Sequence, residues 1–347
     1  MDQRRQARIA PLVPADRQYA LPESVASLPK AELHLHLEGS IQSNTVCALM
    51  ARHGVDITPQ EVQRRYAYRN FVEFLETFKW VTSFLRDPQD YALIVRDLAE
   101  YLVSQRVVYA EVTISIGVMQ LRKQRLEANF EAILAAAEPF ESRGLRMRWI
   151  FDAVRQFGPD AAMRVIHAAK QCGSKSIVAF GIGGDELSIP TQQFRPVYDQ
   201  AAALGLHRVI HAGEIGGAEK IREAVELLGV ERIGHGIAAM NDPALMDLLA
   251  DRRIPLEICP QSNVRTGALA LQLRQPDARI EDHPLPALFR HGIPIALSTD
   301  DPAMFHTTLL EEYEHAHHLG MTERELLRLA QMSFDFAFER QHSHTAN

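Results

Sequence analysis

Eight short apolar runs, most of them followed by a stretch of helical periodicity, order this chain from residue 32 to residue 298. They are Glu32–Leu37, Val107–Ser115, Met147–Val154, Ile177–Gly183, Arg208–His211, Arg232–His235, Pro255–Cys259 and Pro294–Ser298. Runs apolar on both faces fit parallel strands covered by helices, whereas a strand with one wet face alternates. Between them, Glu127–Arg143, Asp160–Cys172, Thr191–Leu204, Ala218–Leu228 and Pro243–Asp251 carry helical patterns. Gly144, Gly205, Gly229 and Gly292 stand where such helices end. Eight strands alternating with helices predict an α/β fold, a (β/α)8 TIM barrel. At 347 residues the chain is long enough for one barrel with appendages.

The appendages have predicted places. Residues 1–27 read as an extended lead-in, 28–340 as a single barrel domain and 341–347 as a frayed tail. A segment from about 43 to 106 separates the first two strands and is too long for one crossover helix. It reads as a helical insertion. Phe71, Phe74 and Phe78, at spacings of three and four, share one helical face, with Trp80 and Phe84 following. That face suits both packing on the barrel and a lid over its C-terminal mouth. Two extra helices, Leu309–Leu319 and Thr322–Phe338, are expected to close the barrel from outside.

Composition narrows the function classes. Lys plus Arg is 37 and Asp plus Glu is 44, so the net charge of −7 disfavours a general nucleic-acid or anionic-membrane binder. Three cysteines with no CxxC pair fit a reducing compartment and argue against a cysteine-ligated metal. No run approaches the roughly 18 apolar residues of a membrane helix. The stretch Arg8–Ala20 is broken by Pro11 and Pro14 and does not read as a targeting signal, so the cytoplasm is the expected location. Oligomeric state is left open.

The chemistry-bearing residues sit at the predicted C-terminal ends of strands, where barrel enzymes assemble their sites. In ELHLHLEG, His34 and His36 are two apart and share one side of the first strand, with Cβ atoms about 6.6 Å apart. Leu33, Leu35 and Leu37 are then expected to face the helices. The fifth strand ends in His211–Ala212–Gly213–Glu214, the sixth in Gly234–His235–Gly236 and the eighth in Ser298–Thr299–Asp300–Asp301–Pro302. Any one histidine at a strand end is commonly a hydrogen-bonding partner; four such ends converging point to a site. Three imidazoles and a carboxylate suit Zn²⁺, and Fe²⁺ or Mn²⁺ also fit. Adjacent residues on a strand aim in different directions, so Asp300 is assigned to the metal and Asp301 to the substrate. Gly213 lets the chain turn so that Glu214 also faces the cavity. By contrast His315 and His318, i and i+3 on a helix without a supporting carboxylate scaffold, read as a solvated face, and His283–Pro284 reads as a cap or packing element.

These four motifs, in this order, resemble the signature motifs of the adenosine deaminase family of amidohydrolase barrels, over roughly Leu28 to Phe338. The resemblance implies one zinc per chain, held by His34, His36, His211 and Asp300. It implies that Glu214 gives a proton to N1 of a 6-aminopurine, that His235 orients and deprotonates the attacking water, and that Asp301 contacts N7 and the attacking oxygen. Gly181–Ile182–Gly183–Gly184–Asp185–Glu186 resembles the family's fourth-strand segment, where the backbone N–H at Gly184 meets purine N3; Asp185 and Glu186 are expected to be structural or near the site. Glu38 stands where adenosine-specific members carry Asp to meet the ribose 5′-hydroxyl. The fourth strand has no lysine to bridge two metals. The cytidine-type alternative needs a PCxxC that this chain lacks. A non-catalytic relative would be expected to have lost a ligand or Glu214, and neither is lost.

The substrate implied is a 6-aminopurine nucleoside of the adenosine type. The alternatives are 6-aminodeoxyfutalosine of the menaquinone route and, behind it, free adenine. GIGGDE and RIGHG resemble the nucleoside branch, Glu38 also occurs in the adenine branch, and FLETFKWV resembles members acting on 5′-modified adenosines.

Overall fold

Each of the eight apolar runs is a strand in the computed structural model, which describes residues 21–68 and 71–339. The strands are β1 Lys30–His36, β2 Val107–Ile114, β3 Arg146–Val154, β4 Ile177–Gly183, β5 His207–Ala212, β6 Arg232–His235, β7 Leu256–Ile258 and β8 Ile295–Leu297. They pair in parallel in sequence order. The ring is drawn together between β8 and β1, where the His36 N–H donates to Asp300 O at 2.8 Å and the Asp300 N–H to His34 O at 3.0 Å. The closing contact therefore runs through residues expected to carry the chemistry. This is a nearly closed (β/α)8 barrel.

The helical insertion after β1 is present as four helices, Ser43–Arg52, Pro59–Arg65, Phe71–Thr82 and Pro88–Ser104. Asp87 and Thr58 each form a capping box at a proline-led start, which fixes where two of them begin. Two C-terminal helices follow β8 at Leu309–His318 and Glu323–Asp335, and the second packs against β1 and β8.

Three expectations need correcting. The lead-in is not wholly extended: Glu23–Ala26 is a helical turn with Val25 buried, while residues 1–20 lie outside the described residues, as does the expected tail. The last helix stops at Asp335 rather than Phe338. Leu33 does not face the helices. The β1–β2 register shifts between Glu32 and Leu35, and Leu33 packs with Ala31, Tyr109 and Ala296, whereas Leu35 and Leu37 join the main core. One irregularity in the strand reverses the alternation that the spacing implied.

Beyond Asp335 the chain turns under the N-terminal end of the barrel. Phe336 packs beside Ala31, Leu33, Tyr109 and Ala296, and Phe338 beside Ile150, Ala179 and Val209. The Phe338 ring lies 3.6 Å from the Arg232 guanidinium. Arg232 is fully buried and donates to Glu111 at 2.5 Å and Glu257 at 2.6 Å. Strands β2 and β6 stand opposite in an eight-membered ring, so this contact crosses the lumen. A buried cation persists only with such partners.

Candidate active site

The C-terminal strand ends bring the expected residues to one place. His34 Nε2 lies 3.4 Å and His36 Nε2 3.3 Å from Asp300 Oδ1, and His36 Nε2 is 3.3 Å from His211 Nε2. His34, His211, His235 and Asp300 each present a ligand atom within 4.8 Å of the others. The sequence reading placed His36, rather than His235, in the metal set; both stand at the centre. His235 Nε2 is 3.5 Å from Glu214 Oε2 and 3.7 Å from Asp300 Oδ2.

Local backbone explains how adjacent acids reach one cavity. Asp300 has φ +67° and His235 φ +60°, the left-handed region that non-glycine residues seldom adopt. The turn at Asp300 carries both Asp300 and Asp301 to the cavity wall, so the strand rule that would separate them does not hold. Such strain is held at sites where the surrounding structure over-determines it. Gly213, at φ +73°, makes the turn expected of it: Glu214 lines the cavity, and a Cβ on Gly213 would stand 2.4 Å from Ile221 Cδ1. Glu186 secures this turn, accepting from the N–H groups of Gly213, Glu214 and Ile215 at 2.7, 2.9 and 2.9 Å. Its expected structural role is what the geometry gives.

The donor set fits a metal. Glu257 lies 2.7 Å from His34 Nδ1, and His34 Nε2 is buried with no hydrogen-bond partner. A histidine tied at one nitrogen to a carboxylate and free at the other is the usual arrangement of a metal ligand. Ser262 Oγ donates to Asp300 Oδ2 at 2.7 Å, fixing that carboxylate. Burial pushes the Asp300 carboxyl up, but His34 and His235 beside it outweigh this and hold it below the usual range. Burial and the Asp300 charge push the Asp301 carboxyl well up. Burial, then the charges of Asp300 and Glu186, do the same to Glu214, which suits a carboxyl that must keep a proton.

Substrate-side residues are placed unevenly. Gly184, at φ +94°, lines the cavity. Glu38 is buried off the cavity wall: Oε1 accepts from the Ser115 N–H at 3.1 Å, Oε2 has no partner, and burial pushes its carboxyl up to about 7. Asp301 Oδ1 is likewise buried and unpartnered. Gly39 explains how Asp301 fits, because a Cβ there would lie 1.5 Å from Asp301 Oδ1. Gly39→Ala is therefore expected to keep the metal and lower kcat/KM by about 10²-fold through displacement of Asp301. Turnover within threefold of the parent, with metal retained, would sink that.

The same cavity is lined by an apolar arm of Phe71, Phe74, Leu75, Phe78, Val118 and Phe157. The aromatic helix packs on the barrel, with Phe74 5.1 Å from Phe305, and Phe71, Phe74, Leu75 and Phe78 line the cavity. His318 is exposed, as is His317, whereas His315 is half-buried, so the expected solvated face holds only in part; the cluster of metal-competent groups among the described residues is the one at the strand ends. His283 caps as expected, accepting from the Leu285 N–H at 3.1 Å.

Sequence reasoning missed Glu257, Ser262, Asn263 and Asp152. Glu257 and Asp152 did leave a signal: an acid inside an otherwise apolar strand needs a partner.

The match to known proteins agrees with the geometry. The model of the adenosine deaminase family covers residues 29–346. This chain belongs to that family. It is 36% identical to the aminodeoxyfutalosine deaminase of Streptomyces coelicolor over 337 residues, 95% of this chain and 84% of the relative. Adenine deaminase from Arthrobacter aurescens superposes with a TM-score of 0.83 at 30% identity, covering 90% of this chain and 94% of that one. An amidohydrolase from Burkholderia ambifaria, solved with bound zinc, superposes at 0.82 with 26% identity, covering 92% and 89%. Members of the adenosine deaminase family of this kind are hydrolases acting on C–N bonds, and the chain is a deaminase of adenine-like substrates. No described helix is long and apolar enough to cross a membrane.

Proposed function

We propose that the chain is a zinc-dependent hydrolase that removes the 6-amino group of an adenine nucleoside carrying a 5′ substituent, with 6-aminodeoxyfutalosine as the leading substrate. The observation that carries this reading is the cavity. Its polar side holds the groups deamination needs, and four phenylalanines and two aliphatic residues on the same cavity offer an apolar surface to a 5′ substituent. Similarity to an aminodeoxyfutalosine deaminase supports the same substrate and moves the reading away from plain adenosine.

In this reading His34, His36, His211 and Asp300 hold one zinc. When bound, the metal makes water acidic enough to serve as nucleophile at neutral pH. Glu214 protonates N1 as oxygen adds to C6, which places the developing ring charge on a covalent N–H bond. One proton of the added water passes to N6 as the C6–N6 bond breaks and ammonia leaves, and the other restores Glu214, so the product carries a C6 carbonyl and a proton on N1. Asp301 contacts N7 and the incoming oxygen, His235 orients that oxygen, and the Gly184 N–H meets N3. Glu38, held behind the cavity wall by the Ser115 N–H, is assigned no direct substrate contact.

A panel of 6-aminodeoxyfutalosine, 5′-methylthioadenosine, adenosine, 2′-deoxyadenosine and adenine, ranked by kcat/KM, tests the assignment. A 5′-substituted substrate is expected to lead adenosine by at least tenfold, about 1.4 kcal/mol. Phe78→Ala is expected to remove most of that preference, since burying a phenylalanine is worth about 1.5–3 kcal/mol. Adenine in first place would overturn the reading, because a free base leaves the arm empty.

A further inference from the structure

A chain of buried hydrogen bonds reaches His235 from a fixed backbone donor. The Leu285 N–H donates to His283 Nδ1 at 3.1 Å. A backbone amide can only donate, so His283 Nδ1 carries no proton. His283 is buried, and burial, aided by the charge of His315, lowers its imidazole to about 3. A neutral imidazole protonated on one nitrogen must then carry that proton on Nε2. His283 Nε2 lies 3.2 Å from Asn263 Oδ1 and donates to it. This settles which end of the Asn263 amide is oxygen, an assignment that is otherwise inferred from networks of this kind. The other end, Nδ2, lies 3.1 Å from His235 Nδ1 and has only protons to offer. His235 Nδ1 therefore accepts, and its ring proton stands on Nε2. That nitrogen faces the centre, 3.5 Å from Glu214 Oε2 and 3.7 Å from Asp300 Oδ2. All three side chains are buried.

We infer that Asn263 and His283 are positioning residues that fix His235 in the Nε2–H tautomer, so that it presents a donor and not a lone pair to the reacting centre. The inference rests on the deaminase reading only for the role that this donor plays. Three consequences follow within that reading. His235 holds the attacking oxygen by donating to it, and orients the water rather than deprotonating it. It has no free lone pair at Nε2 for a metal, although it stands among the converging ligand atoms. The third imidazole of the metal set is thereby His36, beside His34 and His211.

Each of the two side chains has a reason to be of its type. Asparagine offers both an acceptor and a donor, which lets it pass the sense of the hydrogen bond from one histidine to the next. Aspartate has the same shape but accepts on both sides. Asn263→Asp should therefore draw a proton onto His235 Nδ1 and leave Nε2 bare.

The test uses the zinc-loaded full chain labelled with ¹⁵N-histidine, read by long-range ¹H–¹⁵N correlation at neutral pH. His235 is assigned by the signal lost in His235→Gln. The expected wild-type result is a protonated Nε2 and an unprotonated Nδ1, and Asn263→Asp is expected to exchange the two. Asn263→Asp is also expected to lower kcat at least tenfold while KM moves less than threefold and zinc content stays at the parent value. A wild-type His235 protonated on Nδ1 overturns the inference, and so does an Asn263→Asp protein that keeps the Nε2–H form. Should Asn263→Asp fail to fold, the wild-type spectrum alone decides. Should no 6-aminopurine be turned over, the deaminase reading falls, while the spectrum still decides the tautomer.

Discussion

Glu214→Gln is expected to keep its zinc and fold and to lose at least about 10²-fold in kcat. Glutamine matches the size of glutamate and still donates a hydrogen bond, but it cannot transfer a proton to N1. The surroundings make the swap a clean one. Residue 214 is held through its backbone, with its N–H bonded to Glu186 Oε1 at 2.9 Å and its carbonyl accepting from Gln272 Nε2 at 2.9 Å. Neither contact involves the altered side-chain end. The nearest ionisable partner of that end is His235, at 3.5 Å. Transition-state interactions lost without ground-state ones lower kcat and kcat/KM together. Metal analysis and steady-state kinetics on one preparation check this. Zinc lost from Glu214→Gln would make Glu214 a ligand, and near-parental turnover with zinc present would move the proton donor elsewhere.

His211→Ala is expected to fail differently, losing metal and turnover together. His211 stands within the converging cluster, 3.3 Å from His36 Nε2, and its ring centroid is 4.6 Å from that of His34. Removing one of four ligands leaves a three-ligand set that holds zinc poorly. The bound metal is worth several kcal/mol of transition-state stabilisation, so the rate should fall by more than about 10³-fold. The parent should bind one equivalent of zinc and the variant well under half of that at the same free zinc. Two equivalents in the parent would overturn the single-metal assignment. Full zinc retention in the variant would remove His211 from the ligand set.

The barrel and the centre of the site were legible because their signals are local. A two-residue spacing put His34 and His36 on one side, glycine at 213 permitted the turn, and apolar runs marked the strands. What escaped depends on irregularity or on distance. The register shift near Leu33 leaves no trace in the residue pattern. The positive φ at Asp300 overturned the alternation argument, since any rule based on strand geometry assumes that the strand continues. Asn263 and His283 lie 20 residues apart, and neither type is informative alone. Their meaning comes from the direction of a hydrogen bond, which only coordinates supply. Glu257, Glu111 and Arg232 were readable in principle as charges in buried strands, but their pairing across the lumen was not.

The helical insertion leaves after β1, returns before β2 and packs on the barrel through Tyr68 and Phe74, and it supplies most residues of the apolar arm. The converging cluster comes instead from the ends of β1, β5, β6 and β8. The apolar arm and the converging cluster thus come largely from different segments of one chain. Substitutions at the cavity-lining residues of Phe71–Thr82 are therefore expected to alter the arm while the strand-end cluster keeps its geometry.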